Sequence, residues 1–118
     1  MKERPYQKLI VWKEAHSLCL WIYGITKQFP GDERFRLVDQ MCRAASSVPM
    51  NIAEGSGKSS NKERARYYET ALCSLEEVHY QCVLARDLQY MKGEQFDDAD
   101  DRIQRVSFLA RKLRSACF

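Results

Sequence analysis

No apolar run in the 118-residue sequence approaches the length that a membrane-crossing helix needs. The opening segment "MKERPYQKLIVWKEAH" has charges on both sides of a very short apolar stretch, and no signal peptide fits it. A C-x-x-C pair is also missing. The five cysteines, Cys19, Cys42, Cys73, Cys82 and Cys117, are odd in number, which argues against a disulfide framework. Four of them fall within apolar helical patterns and read as small buried hydrophobes in a reducing compartment, the cytoplasm. Charge of one sign is not in large excess. Nineteen basic against sixteen acidic side chains give a net charge of +3, too little to imply a nucleic-acid partner by itself. Internal repeats, low-complexity tracts and linkers are absent, so residues 1–118 are expected to form one domain with a real core.

Strand patterning is nearly absent too, while apolar residues recur at steps of three and four. Val11, Ala15, Leu18, Cys19, Ile22, Thr26 and Phe29 share one face of a first helix, which "FPGD" stops. Asp32 is placed to cap a second helix with the stripe Val38, Met41, Cys42, Ala45, Val48, Ile52 and Ala53. Ser60 and Glu63 form a capping box for a third helix, whose stripe Tyr68, Leu72, Leu75, Val78, Cys82 and Ala85 runs on until Gly93 ends it. The fourth carries Phe96, Ala99, Ile103, Val106, Ala110, Leu113 and Cys117. Short links between such helices predict an all-α, up-down-up-down four-helix bundle.

Some large apolar residues fall outside these stripes. Ile10 and Trp21 on the first helix, and Cys73, Tyr80, Leu84, Leu88 and Met91 on the third, turn away from the expected core. A helix apolar on two sides is usually buried on two sides, which predicts self-association; scattered exposed hydrophobes are the plainer alternative. The stretch "SVPMNIAEGSG" (Ser47 to Gly57) is the most irregular part of the chain. Pro49 removes a backbone donor and predicts a kink or interruption. Gly55 and Gly57 give the chain freedom to leave the helix. At ~100° per residue, Arg36, Gln40, Arg43, Ser47, Asn51, Glu54 and Lys58 form a polar stripe opposite Val38, Ala45 and Ile52. Such a stripe is ordinarily a solvated face.

Three segments, "LIVWKEAHSLCLWIYGITKQFP", "RAASSVPMNIAEGSGKSS" and "YYETALCSLEEVHYQ", resemble, in order, the small bacterial four-helix-bundle proteins of the 23S rRNA intervening-sequence family. The last helix matches only in its apolar rhythm. The resemblance implies a bundle assembling into a ring-like homo-oligomer, a pentamer, with a role connected to nucleic acid and no established catalytic activity. It also moves the polar stripe toward subunit or ligand contacts. Arg43, Ser47, Asn51, Glu54, Gly55, Trp21, Tyr80, Leu84 and Leu88 become the motif and interface candidates.

Phosphate binding requires cations within reach of a backbone. Lys58, Lys62, Arg64 and Arg66 cluster at the junction of the second and third helices, among serines, glycines and Asn61. These four are the candidate nucleic-acid-binding residues. The arginines and lysine of the fourth helix (Arg102, Arg105, Arg111, Lys112, Arg114) follow an acidic start, the order a helix dipole favours, and read as structural. No helix-turn-helix, zinc finger or RNA-binding sheet signature is present, so sequence-specific readout is not expected. His16 with Cys19, and His79 with Cys82, stand one helical turn apart and suggest a zinc site only if the two helices meet there; core packing explains the cysteines without metal. Paired Glu-x-x-His motifs, a nucleophile elbow and a phosphate loop are all missing. The sequence is therefore read as a non-catalytic homo-oligomer, with RNA or DNA as candidate partner. No cofactor, small-molecule substrate or membrane is implied. The alternative is a protein-interaction scaffold with no nucleic-acid role.

Overall fold

Apolar periodicity of 3.6 residues yields four helices in the computed structural model, which describes residues 2–118. They are α1 (Ile10–Thr26), α2 (Leu37–Ser56), α3 (Asn61–Asp87) and α4 (Gly93–Ser115), with single 3-10 turns at Pro5–Lys8 and Gly31–Glu33. No strand occurs among the described residues. Each helix packs on the next and α4 closes against α1, giving the expected up-down-up-down bundle. The molecule measures 43 × 31 × 21 Å. Its long dimension is set by α3, whose 27 residues span roughly 40 Å at 1.5 Å each.

The core follows the stripes closely on three helices. Every residue of the expected first face, from Val11 to Phe29, is buried, and Thr26 is reconciled to burial because its hydroxyl donates to the Ile22 carbonyl at 2.8 Å. On α3, Tyr68, Leu72, Leu75, Val78, Cys82 and Ala85 are buried. On α4, Ala99, Ile103, Val106 and Ala110 are, as is Cys117 just past its end, with Phe96 and Leu113 half-buried against them. Fully buried side chains such as Leu18, Ile22 and Leu75 each contribute about 1.5–3 kcal/mol of transfer free energy.

The structure corrects the expected ends of the elements. Asp32 does not cap α2; it lies in the 3-10 turn, and α2 begins at Leu37 after an uncapped Arg36. Of the expected capping box on α3 one half forms: the Glu63 amide donates to Ser60 Oγ at 3.1 Å, while the Glu63 carboxylate accepts from that hydroxyl at 3.4 Å in place of the Ser60 backbone amide. Gly93 does not end α3; it is the first residue of α4. Helix α3 instead closes on Gln89, the one described non-glycine residue with positive φ, at 67°. The Tyr90 amide donates to the Ala85 carbonyl at 2.8 Å and the Gln89 amide to the Arg86 carbonyl at 2.9 Å, the paired bonds of a Schellman motif. Tyr90 then packs on Phe29, ring centroids 5.5 Å apart, and its hydroxyl donates to Glu33 Oε2 at 2.8 Å. This ties the α3–α4 link to the α1–α2 link at one end of the bundle. Hydrogen bonding to the Glu33 carboxylate pushes the Tyr90 phenol above its ordinary pKa.

Helix α2 departs most from expectation. It runs unbroken from Leu37 to Ser56 with Pro49 inside it and buried, so the helix does not stop and restart there. Leu37 and Ala44 join the buried face, while Val38, Cys42 and Ala53 are only half-buried. Gly55 does not release the chain. It sits where α2 passes α3 so closely that an added Cβ would meet Tyr67 Cβ and Tyr68 Cε1, each at 2.8 Å. The outer apolar row on α3 is also thinner than expected: Met91 is buried, and Leu84, like Trp21 on α1, packs partly against the bundle's own core. Tyr80 and Leu88 remain exposed, as do Ile10, Leu20, Tyr23, Met50 and Phe108, distributed over all four helices.

Candidate nucleic-acid interface

The α2–α3 link places the four candidate cations differently from one another. Arg64 turns back on the link: its Nε donates to the Lys58 carbonyl at 2.7 Å and its Nη1 to Asn61 Oδ1 at 3.3 Å. The Lys58 ammonium stands 5.1 Å from the centroid of the Tyr67 ring, a cation–π arrangement. Lys62 and Arg66 are exposed, four residues apart on one face of α3, and so lie side by side. None of the four forms an ion pair with a carboxylate among the described residues.

The contrast with α4 is direct. Arg102 pairs with Asp98 at 3.0 Å, Arg105 reaches Glu14 of α1 at 3.0 Å, and Arg114 reaches Glu69 of α3 at 2.6 Å. Arg111 donates to Ser107 Oγ, and the Lys112 ammonium lies over Phe108. The fourth helix's cations thus mostly close the bundle or neutralise their own helix.

Two grooves meet at Arg66. One, of about 240 Å³, is lined by Asn51, Glu63, Arg66, Tyr67 and Thr70. The other, about 490 Å³ and more apolar, lies between α3 and the chain's last residues, and Lys62, Ala65, Arg66, Arg114 and Phe118 contribute to it. Reasoning from sequence missed Tyr67 and Thr70. Glu63, Arg66, Tyr67 and Thr70 follow the i, i+3, i+4, i+7 spacing of one helix face, which signals a shared surface. Nothing in the sequence says that Asn51 of α2 completes it.

The polar stripe on α2 is divided. Ser47 Oγ lies 2.8 Å from Ser74 Oγ of α3, and Asn51 Nδ2 donates to the Ser47 carbonyl at 2.8 Å and to Ser47 Oγ at 3.0 Å. Ser47 thus ties α2 to α3, Asn51 bonds back to Ser47 within α2 and lines the smaller groove, and Gly55 joins the two helices by close packing. Arg43 is exposed and paired with Asp39 on its own helix at 3.1 Å. Glu54 is exposed. Trp21 lies 5.6 Å under the Arg102 guanidinium.

The histidine–cysteine pairs are not brought together. His16 is exposed and stacks on Trp12 at 4.9 Å, while His79 Nε2 lies 3.0 Å from Asp100 Oδ1 on α4. Among the described residues no three His, Cys, Asp or Glu side chains are grouped to hold a metal ion. Burial pushes the Cys82 thiol up to about 12, with nearby Asp100 adding to the shift. Burial first, and then the neighbouring Cys42, also raises Cys19. Such thiols stay protonated and inert. No helix of the described residues is long and apolar enough to cross a membrane.

A short-linked antiparallel bundle of four helices defines a class of small all-α proteins. Within that class, the profile of the family described as 23S rRNA-intervening sequence protein matches residues 7–112. The chain belongs to that family. Its fold is similar to the crystal structure of a protein of unknown function from the S23 ribosomal protein family of Bacteroides thetaiotaomicron. The TM-score is 0.83, with 19% identity over 90% of this chain and 96% of that one. No curated protein matches the sequence.

Proposed function

We propose that this protein is a non-catalytic homo-oligomer that binds RNA or DNA without sequence preference. Lys58, Lys62, Arg64 and Arg66 supply the phosphate contacts. The observation that carries the reading is that, among the described residues, these four cations have no carboxylate partner, against the paired arginines of α4. An unneutralised cation releases a counterion from the nucleic acid when it docks, and that release drives affinity. One copy offers few such groups. A ring of copies, five as the family resemblance implies, repeats them and gains avidity without new contacts. Family membership supports a role connected with ribosomal RNA, whose name the family carries.

Subunit contacts in this reading come from the outward side chains that remain: Glu54 and Arg43 on α2, Tyr80 on α3 and Leu88 at its C-terminal end. Large exposed apolar groups favour such burial. The test is an oligonucleotide mobility assay at low and moderate salt on wild type, Lys62→Glu/Arg66→Glu and the control Arg105→Glu. Binding is expected to be salt-sensitive, lost in the double variant and retained in the control. Binding that survives the double reversal clears this face. No binding at any salt leaves the protein-interaction scaffold.

A further inference from the structure

The groove of Asn51, Glu63, Arg66, Tyr67 and Thr70 has chemistry that phosphate contacts leave unused. Asn51 Nδ2 donates to a carbonyl, the Ser47 oxygen, so it must be the amide nitrogen; Oδ1 of this groove-lining residue then has no hydrogen-bond partner among the described residues. The Tyr67 hydroxyl and the Arg66 guanidinium have no hydrogen-bond partner among the described residues. Thr70 Oγ1 gives its proton to the Arg66 carbonyl at 3.1 Å and keeps its acceptor lone pairs. Glu63 holds Ser60 through Oε1 only. An aromatic ring, a planar fork of donors, an amide oxygen and a carboxylate therefore line one small concavity.

Its volume, about 240 Å³, lies below the roughly 300–1,000 Å³ of pockets for drug-sized ligands and suits a single heterocycle. Unpaired bases are recognised by stacking on aromatic side chains and by hydrogen bonds to their exposed edges. Amide and guanidinium groups are the side chains that pair with purine edges. The cations already described flank the groove: the Lys58 ammonium stands over the Tyr67 ring, and Lys62 is one turn from Arg66. A base stacked on Tyr67 would have its own phosphate within their range.

We infer that this groove takes one unpaired nucleobase of a bound strand, so that each copy prefers single-stranded to duplex nucleic acid. The inference rests on the phosphate-binding reading above and adds to it a base contact.

Three fluorescent probes of equal length separate the two: a single strand, an abasic strand of the same phosphate count, and the same single strand in a duplex, which carries twice as many phosphates. Anisotropy titrations use wild type, Tyr67→Ala and Tyr67→Phe, with circular dichroism confirming the helical fold. The base-bearing single strand is expected to bind more tightly than either other probe. Tyr67→Ala is expected to weaken it by roughly 5- to 150-fold, the worth of one base–aromatic stack, and to leave the abasic strand unchanged. Tyr67→Phe retains affinity. Because Tyr67 Cβ stands close to Gly55, Tyr67→Leu serves where the alanine variant does not fold; it keeps bulk and removes the aromatic face. Equal binding of abasic and base-bearing strands overturns the base pocket while phosphate binding stands. No binding of any probe overturns both.

Discussion

Gly55 of α2 lies so close beneath Tyr68 of α3 that a Cβ added to it would come to 2.8 Å from Cε1 of the ring. Tyr68 is itself buried, and Tyr67 Cβ, fixed next to the backbone, stands at the same distance. Neither neighbour can swing away freely. Gly55→Ala is expected to destabilise the fold by about 1–3 kcal/mol, as overpacking does. Gly57→Ala is the matched control: its Cβ would meet the Glu54 carbonyl at 3.6 Å and the Ala53 carbonyl at 3.9 Å, both ordinary contacts. Urea unfolding of both variants reads the difference, and equal midpoints would contradict the close crossing.

Gln89 holds the left-handed conformation, φ 67°, that ends α3. A side chain there costs about 1–2 kcal/mol relative to a right-handed conformation, and glycine avoids most of it. Gln89→Gly is expected to raise stability by about 0.5–1 kcal/mol, after allowing for the greater entropy glycine loses on folding. A lowered thermal midpoint would show that the Gln89 side chain has a role of its own.

Cys82 gives the fold a dependence on high pH. Its thiol is held up to about 12 in the native state, against about 9.0 when unfolded. Between those values the native chain keeps a proton that the unfolded chain releases. Stability conferred by the neutral thiol is therefore complete below about pH 9 and declines as pH rises toward 12, by at most about 1.4 kcal/mol per pH unit for this group. Cys19 and Cys42, also raised by burial, act with the same sign. Denaturant midpoints measured from pH 8 to 11 are expected to fall more steeply for wild type than for Cys82→Ala. Parallel curves would contradict the assignment. Under native conditions at pH 8, exposed Cys73 is expected to react with a thiol reagent well before buried Cys19, Cys82 and Cys117.

Glu54 tests the oligomer. It is exposed and has neither a hydrogen bond nor an ion pair from its side chain among the described residues. If neighbouring copies meet on its side of α2, Glu54→Lys lowers the mass measured by light scattering while helicity by circular dichroism stays constant. An unchanged mass returns Glu54 to solvent.

The bundle itself was legible in the sequence because burial imposes its period directly. The spacing from Val11 to Phe29, and from Phe96 to Cys117, required no knowledge of a neighbour. Residues whose role depends on a second helix were not legible. A projection of α2 gives the angle of Ser47 and Asn51 but not the position of α3, so it shows neither the bond of Ser47 across to Ser74 nor the groove that Asn51 lines with α3. Gly55 suggested a turn because glycine permits one; its close approach to Tyr67 and Tyr68 belongs to tertiary structure. Pro49 carries a strong breaking propensity, yet tertiary packing buries it inside an unbroken α2. Gln89 gives no sign of left-handed backbone from its residue type. The basic junction appeared as four equal cations, and only hydrogen-bond geometry separates Arg64, which braces the link, from Lys62 and Arg66.

The most direct test of the account is the salt dependence of binding to a short single strand. Each phosphate neutralised contributes about −0.7 to the slope of log affinity against log salt concentration. Wild-type protein is expected to show a steep negative slope, and Lys62→Glu/Arg66→Glu a shallower one, by about 0.7 for each lost contact, with weaker binding throughout. A slope identical in the two proteins, or no affinity at low salt, would contradict the claim that this exposed face of α3 meets nucleic acid.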